Sequence, residues 1–248
     1  MINLSNINKT IDAGFPWLIF PKPLETEFQS FIRNRILKRV IPIGISAAGF
    51  IILFCAIDWI LLDPALAMHT SVVRLVFVLP VIILVTSWLY LKPPSYYLWI
   101  YSATLLFTSL SIIYIIWFTH MKGINLPYEG LMITIMYGFF IMALPFYTAL
   151  FLNIAMVLVY ALTEPLYYFS FADYINHVLF LSIILFSAAI GAYVIEHNQR
   201  SNFLRKLSLD ILHKNALNSL KQKNKYLAAA SHDIRQPLQG IKYIGESI

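Results

Sequence analysis

The sequence predicts an all-α membrane protein: a six-helix transmembrane bundle, a cytoplasmic coiled-coil linker, and the start of one more helix. Three observations predict it. Of 248 residues, 59% are hydrophobic and only 12% are charged, against roughly 25% charged in an ordinary soluble domain. Most of the chain must therefore lie in lipid. Apolar stretches then recur six times, each about the 17–25 residues that a helix needs to cross a bilayer. Finally, from Glu196 onward the composition turns to Lys, Asn, Gln and Ser with leucines at helical spacing.

Residues 1–39 are mixed and partly polar and form a cytoplasmic N-terminal segment. They lack a basic start followed by an apolar core and a small-residue cleavage site, so no cleaved signal peptide is expected. Residues 40–195 are the six-span membrane domain. Its spans are read at 40–62, 72–91, 96–118, 130–146, 147–163 and 175–195, with Pro145 at the tight junction between the fourth and fifth. Turn formers separate the others: Asp63-Pro64, Lys92-Pro93-Pro94, Gly123 to Pro127, and Glu164-Pro165.

Charge sets the orientation. Arg33, Arg35, Lys38 and Arg39 precede the first span, Lys92 lies between the second and third, and Arg200, Arg205 and Lys206 follow the sixth. The opposite loops carry Lys122 as their only lysine. The positive-inside rule then places both termini in the cytoplasm, as an even number of spans requires. The net charge of +6 sits in short clusters beside apolar spans, a pattern of membrane topology and not of a nucleic-acid-binding face. The expected localisation is the plasma (inner) membrane. No metal site is expected, and Cys55 is alone, so no disulfide forms within the chain.

Polar residues inside spans are costly and therefore informative. Asp58 and Arg74 fall at the same membrane face, either as a structural ion pair or as the polar end of a ligand site. His120, Glu129, Glu164, Asp173 and His177 ring that face. Asn153 lies within an apolar helix, as interhelical glue or as a ligand contact. The loops on this side are about ten residues long, too short to fold as a binding domain. A stimulus has to be read within the bilayer or at its outer edge. Trp59, Trp88, Trp99 and Trp117 lie near span ends, where amphipathic rings prefer the interface.

In the linker, residues 196–226, Leu204, Leu207 and Ile211 make one helical stripe, and Leu217, Leu220, Asn224 and Leu227 make another with a/d spacing. The two do not share one heptad register. A dimeric coiled coil is the expected reading, with an amphipathic helix on the membrane surface as the alternative.

Residues 227–248 open with Ala228-Ala229-Ala230-Ser231-His232-Asp233-Ile234-Arg235-Gln236-Pro237-Leu238. This string resembles the H-box of sensor histidine kinases: a histidine, then an acid, an apolar residue, Arg, a polar residue, Pro and Leu. The resemblance implies the first helix of a dimerisation and phosphoacceptor domain, a homodimer, and a response-regulator partner. It makes His232 the phosphoacceptor. Asp233, where the family often has Glu, would accept a hydrogen bond from one ring nitrogen and leave the other more nucleophilic. Gln236, one turn away on the same face, stands where Asn or Thr usually supports dephosphorylation of the regulator. Arg235 and Pro237 complete the motif, with Pro237 bending the helix by removing a backbone donor. ATP and Mg²⁺ would belong to a separate catalytic domain, for which this sequence has no Gly-rich segment. With 16 residues after His232, the chain is expected to be a fragment or truncation of a longer protein, or a chain whose catalytic part is supplied elsewhere, unable to bind ATP alone.

Six spans with brief loops, a leucine-bearing linker and an H-box are similar in layout to the α-hydroxyketone quorum-sensing receptor kinases. That resemblance implies a small lipophilic ligand sensed by the membrane domain itself. Two other classes compete: a six-span transporter, which would favour broken helices and internal repeats, and a membrane anchor for another signalling enzyme such as a nucleotide cyclase.

Overall fold

In a computed structural model the described residues are 4–124, 126, 128–163 and 171–245; beyond Leu227, side chains are described only for Ala230 and Ser231. Among these residues the ordered elements are all helical. The chain divides into two compact units, one of Thr26–His197 and one of Met1–Glu25 with Asn198–Ile248.

The larger unit holds the membrane helices. Helix α3 runs Val40–Leu61, after α1 (Leu4–Ala13) and α2 (Lys22–Leu37). Next comes one apolar run from Pro64 to Leu91, made of α4 (Pro64–Val72), a π-helical segment Val73–Val78 and α5 (Leu79–Leu91). The remaining elements are α6 (Tyr97–Met121), α7 (Glu129–Met136) with a π-helical continuation Tyr137–Ile141, α8 (Phe146–Thr163) and α9 (Phe171–Gly245). Among the described residues five runs are long and apolar enough to cross a membrane: Val40–Leu61, Pro64–Leu91, Tyr97–Met121, Phe146–Thr163 and the one within α9. They are clothed in exposed Ile45, Ile52, Ile60, Leu84, Trp99, Phe151 and Phe186. So large an apolar exterior is compatible with lipid and not with water.

Two boundaries differ from the sequence reading. The second run begins at Pro64 instead of 72, because proline suits the first turn of a helix, where its missing N–H costs nothing. The expected fourth span, 130–146, is helical only over Glu129–Ile141, about 20 Å at 1.5 Å per residue. Pro145 explains the early stop. It offers no N–H to the Ile141 carbonyl, and its ring crowds that turn. Ala143 meanwhile adopts φ +50, a left-handed conformation that no helix continues through. Helix α9 also runs without a break across residues 195 and 226, where the sequence was divided into span, linker and phosphoacceptor helix.

Both π segments have a local cause. Leu79 N–H donates to Arg74 O, five residues back, and Pro80 follows at once, unable to donate to Val76. Met142 N–H likewise donates to Tyr137 O, with Pro145 just beyond. Each proline removes an α-helical bond, and the widened turn before it restores hydrogen bonding at a shifted register.

Helix α3 and the Pro64–Leu91 run pack antiparallel. One end of α3 meets the Pro64–Leu91 run through Asp58 and Arg74, and the other end meets it through Gly44 and Thr86. A Cβ on Gly44 would lie 2.4 Å from Thr86 Oγ1, so only glycine permits this approach. A Cβ on Gly138 would lie 2.9 Å from Leu105 Cδ2 and 3.1 Å from Asn153 Nδ2. Between these contacts Ile51, Val78 and Ile82 form a small core.

Candidate functional site

The prolines and π segments matter because they aim polar groups into the bundle. A cavity lies among α3, the Pro64–Leu91 run, α6 and α7. Its walls are mainly apolar, from Ile43, Phe50, Phe54, Ile82 and Leu105 among others. That is the composition of a small-molecule site: apolar surface with a few placed polar groups.

Most of the polar groups are already engaged. Thr104, Thr108 and Thr134 donate to the carbonyls of Ile100, Thr104 and Gly130, one turn back on their own helices. The π segment after α7 turns Tyr137 toward α3. Its hydroxyl donates to Ile43 O and lies 2.9 Å from Ser46 Oγ. Tyr101 differs. Its residue is 4% exposed, and among the described residues its Oη is the buried side-chain polar atom with no hydrogen-bond partner. Leaving such a group unsatisfied costs about 1–3 kcal/mol, a cost that a ligand acceptor removes.

A second space shares Phe54, Arg74, Ile112 and Gly130 with this one. Asp58 and Glu129 line it. Here Arg74 Nε donates to Asp58 Oδ2 at 2.9 Å, with Nη2 3.5 Å from Oδ1. Both residues are buried, at 5% and 2% exposure. The guanidinium also lies 5.3 Å from the Phe54 ring centre, within cation–π range. The two charges cancel, so the cavity offers no net charge to an ion from this pair.

Of the residues singled out from sequence, Asp58 and Arg74 are thus brought together, and Arg74 lines both spaces. Asn153 does not line either. It is buried on α8, donating to Ala149 O one turn back and pressed against Gly138, a packing position. His232, Asp233, Arg235, Gln236 and Pro237 lie on the helical backbone of α9, and their side chains fall outside the described residues. Tyr101 and Tyr137 escaped the sequence reading. A signal existed on α6: Tyr101, Thr104 and Thr108 follow one another at three- and four-residue spacing, a polar stripe on one face of an apolar helix.

Compared with protein families, residues 56–210 match the model of MASE8, a membrane-associated sensor domain family found in sensor kinases and cyclases. The match covers more than half of the chain. It begins inside α3 and ends in α9, before the string at 228–238. No curated protein matches the chain.

Proposed function

The chain belongs to the MASE8 family of membrane-associated sensor domains, and from that premise we propose that it receives a small, uncharged, lipophilic ligand in its bundle cavity and passes the event along α9 to a phosphoacceptor at His232. The observation that carries the ligand reading is the buried Tyr101 hydroxyl, without a hydrogen-bond partner among the described residues, in a mainly apolar cavity. An acceptor oxygen on the ligand would take its proton, and an aliphatic body would fill the space among Phe50, Phe54 and Leu105. The Asp58–Arg74 pair offers no net charge to a ligand, which favours an uncharged one.

The output half of the proposal rests on residues 228–238. Their H-box resemblance favours a kinase over the cyclases that also carry this family of sensors. His232 would accept the phosphoryl group, and Asp233 would orient its ring. A partner ATP-binding domain would supply ATP and Mg²⁺, and a response regulator would receive the phosphoryl group. Exposed Leu217, Leu220 and Leu227 on α9 would form the seam of a homodimer.

The same reading sets the topology at six crossings, with both termini cytoplasmic in the plasma membrane. Six crossings require residues 142–145, where the chain bends out of the helix at Met142 and Ala143, to complete the short fourth span. Met142 and Leu144 are buried, as unwound backbone at membrane depth requires. Single cysteines placed at Lys22 and Arg205, with Cys55 changed to Ser, should resist an impermeant thiol reagent in intact cells and react after lysis. Labelling of either from outside would rule the topology out.

The ligand test uses the chain purified in lipid nanodiscs and unbranched aliphatic ketones of graded length. The melting temperature should rise with ketone concentration and pass through an optimum chain length. Tyr101→Phe removes one oxygen and keeps the ring. It should melt slightly higher than the wild type without ketone, since the unsatisfied hydroxyl is gone, and should respond to ketone at least tenfold more weakly. Equal responses in the two proteins would remove Tyr101 from the site.

A further inference from the structure

The smaller unit contains an ion pair between buried Arg200 and half-buried Glu25 that the sensor reading does not use. Arg200 is 3% exposed and sits on α9 four residues after Glu196. Its Nη1 donates to Glu25 Oε2 at 2.8 Å, and Nη2 lies 3.3 Å from Oε1. Glu25 Oε2 also accepts the Phe20 backbone N–H at 3.0 Å. The Arg200 guanidinium carbon stands 4.9 Å from the Phe20 ring centre, and that ring stacks on Phe203 with centres 6.4 Å apart. Phe20, Leu18, Phe203 and Leu204 are all buried.

The backbone is strained to make this contact. Phe15 and Leu18 have φ of +31 and +53, which side-chain-bearing residues rarely adopt. Such outliers persist only where surrounding contacts hold them. Phe15 meets the Phe20 ring edge-on with centres 5.2 Å apart, and Phe20 in turn meets Arg200 and Phe203. A planar guanidinium that is paired through two nitrogens and stacked on an aromatic ring has a defined orientation. Arg200 therefore fixes not merely that the N-terminal segment touches α9 but which face of α9 it touches.

We propose that residues 15–25 are a clamp on α9, closed by Glu25, Phe20 and Arg200, which restrains the helix where it leads from the membrane domain into the linker. A shift of α9 passing residue 200 has either to carry this segment with it or to break the ion pair. The clamp thus sets a threshold between sensor and output, whatever the ligand. The inference does not depend on the identity of the output residue.

The test is amide hydrogen exchange by mass spectrometry on the full chain in nanodiscs. Glu25→Gln and Arg200→Gln should each raise exchange about tenfold over residues 15–25 and also over 198–212. The double variant should be no worse than either single, because both remove the same pair. Phe20→Leu, which keeps burial and loses the ring, should give a smaller rise in the same segments. Exchange over Tyr97–Met121 should stay at the wild-type level, which separates clamp release from loss of the fold. Three outcomes would overturn the clamp: unchanged exchange in both single variants, a rise confined to residues 15–25, or additive effects in the double variant.

Discussion

Asp58→Asn is expected to lower stability by about 3–5 kcal/mol, the cost of leaving one member of a buried ion pair without its partner. Arg74 is the reason. Its guanidinium is 2.9 Å from the carboxylate and enclosed by protein on a helix that crosses the membrane. Asparagine has nearly the same shape, so packing is preserved and the loss is electrostatic. The Phe54 ring at 5.3 Å remains and offsets only about 0.5–2 kcal/mol. Thermal unfolding in nanodiscs should show the drop, and the yield of inserted protein should fall with it. Two double variants give the contrast. Asp58→Arg with Arg74→Asp should recover part of the loss. Asp58→Leu with Arg74→Met should approach wild-type stability, since no charge is then buried, yet the polar end of the cavity would be gone. A single variant as stable as the wild type would mean that water reaches the pair.

Gly44→Ala should be the next most damaging substitution. The added carbon would stand 2.4 and 2.5 Å from Thr86 Oγ1 and Cγ2, and 3.0 Å from Thr86 Cβ. Helix α3 and the Pro64–Leu91 run must then separate, at a cost of about 1–3 kcal/mol for overpacking. Both residues line the cavity, so its shape changes as well. Thr86→Ala removes the two nearest atoms and leaves the Cβ. It should therefore restore part of the stability when combined with Gly44→Ala, while Thr86→Ala alone should cost little. The four melting temperatures of this cycle give the coupling directly. A coupling of zero would show that the helices do not approach as closely as described.

How much of this was legible in the sequence depended on the kind of signal. Long apolar runs announce themselves by length, and Val40–Leu61 and Tyr97–Met121 fall within a few residues of expectation. The segment before Pro145 misled, because hydropathy counts apolar residues and is blind to the backbone. Ala143 and Leu144 are as apolar as their neighbours, yet the proline after them ends the helix. The Asp58–Arg74 pair was readable, since two opposite charges at one membrane face have few alternatives. Tyr101 was not, because tyrosine is common in this chain and only the cavity distinguishes one ring from another. The N-terminal clamp was out of reach for a different reason. Glu25 and Arg200 are 175 residues apart, and no local pattern reports a contact over that separation.

The central claim is that an event in the bundle cavity controls chemistry at His232, and the most direct measurement is phosphoryl transfer. It requires a protein that joins this chain to an ATP-binding domain, in nanodiscs, with labelled ATP and the ketone series. The account predicts an acid-labile, base-stable phosphoryl group that is absent in His232→Gln. It predicts that the rate changes with ketone in the wild type and at least tenfold less sensitively in Tyr101→Phe. Phosphohistidine in the His232→Gln protein, or an identical ketone response in Tyr101→Phe, would contradict it.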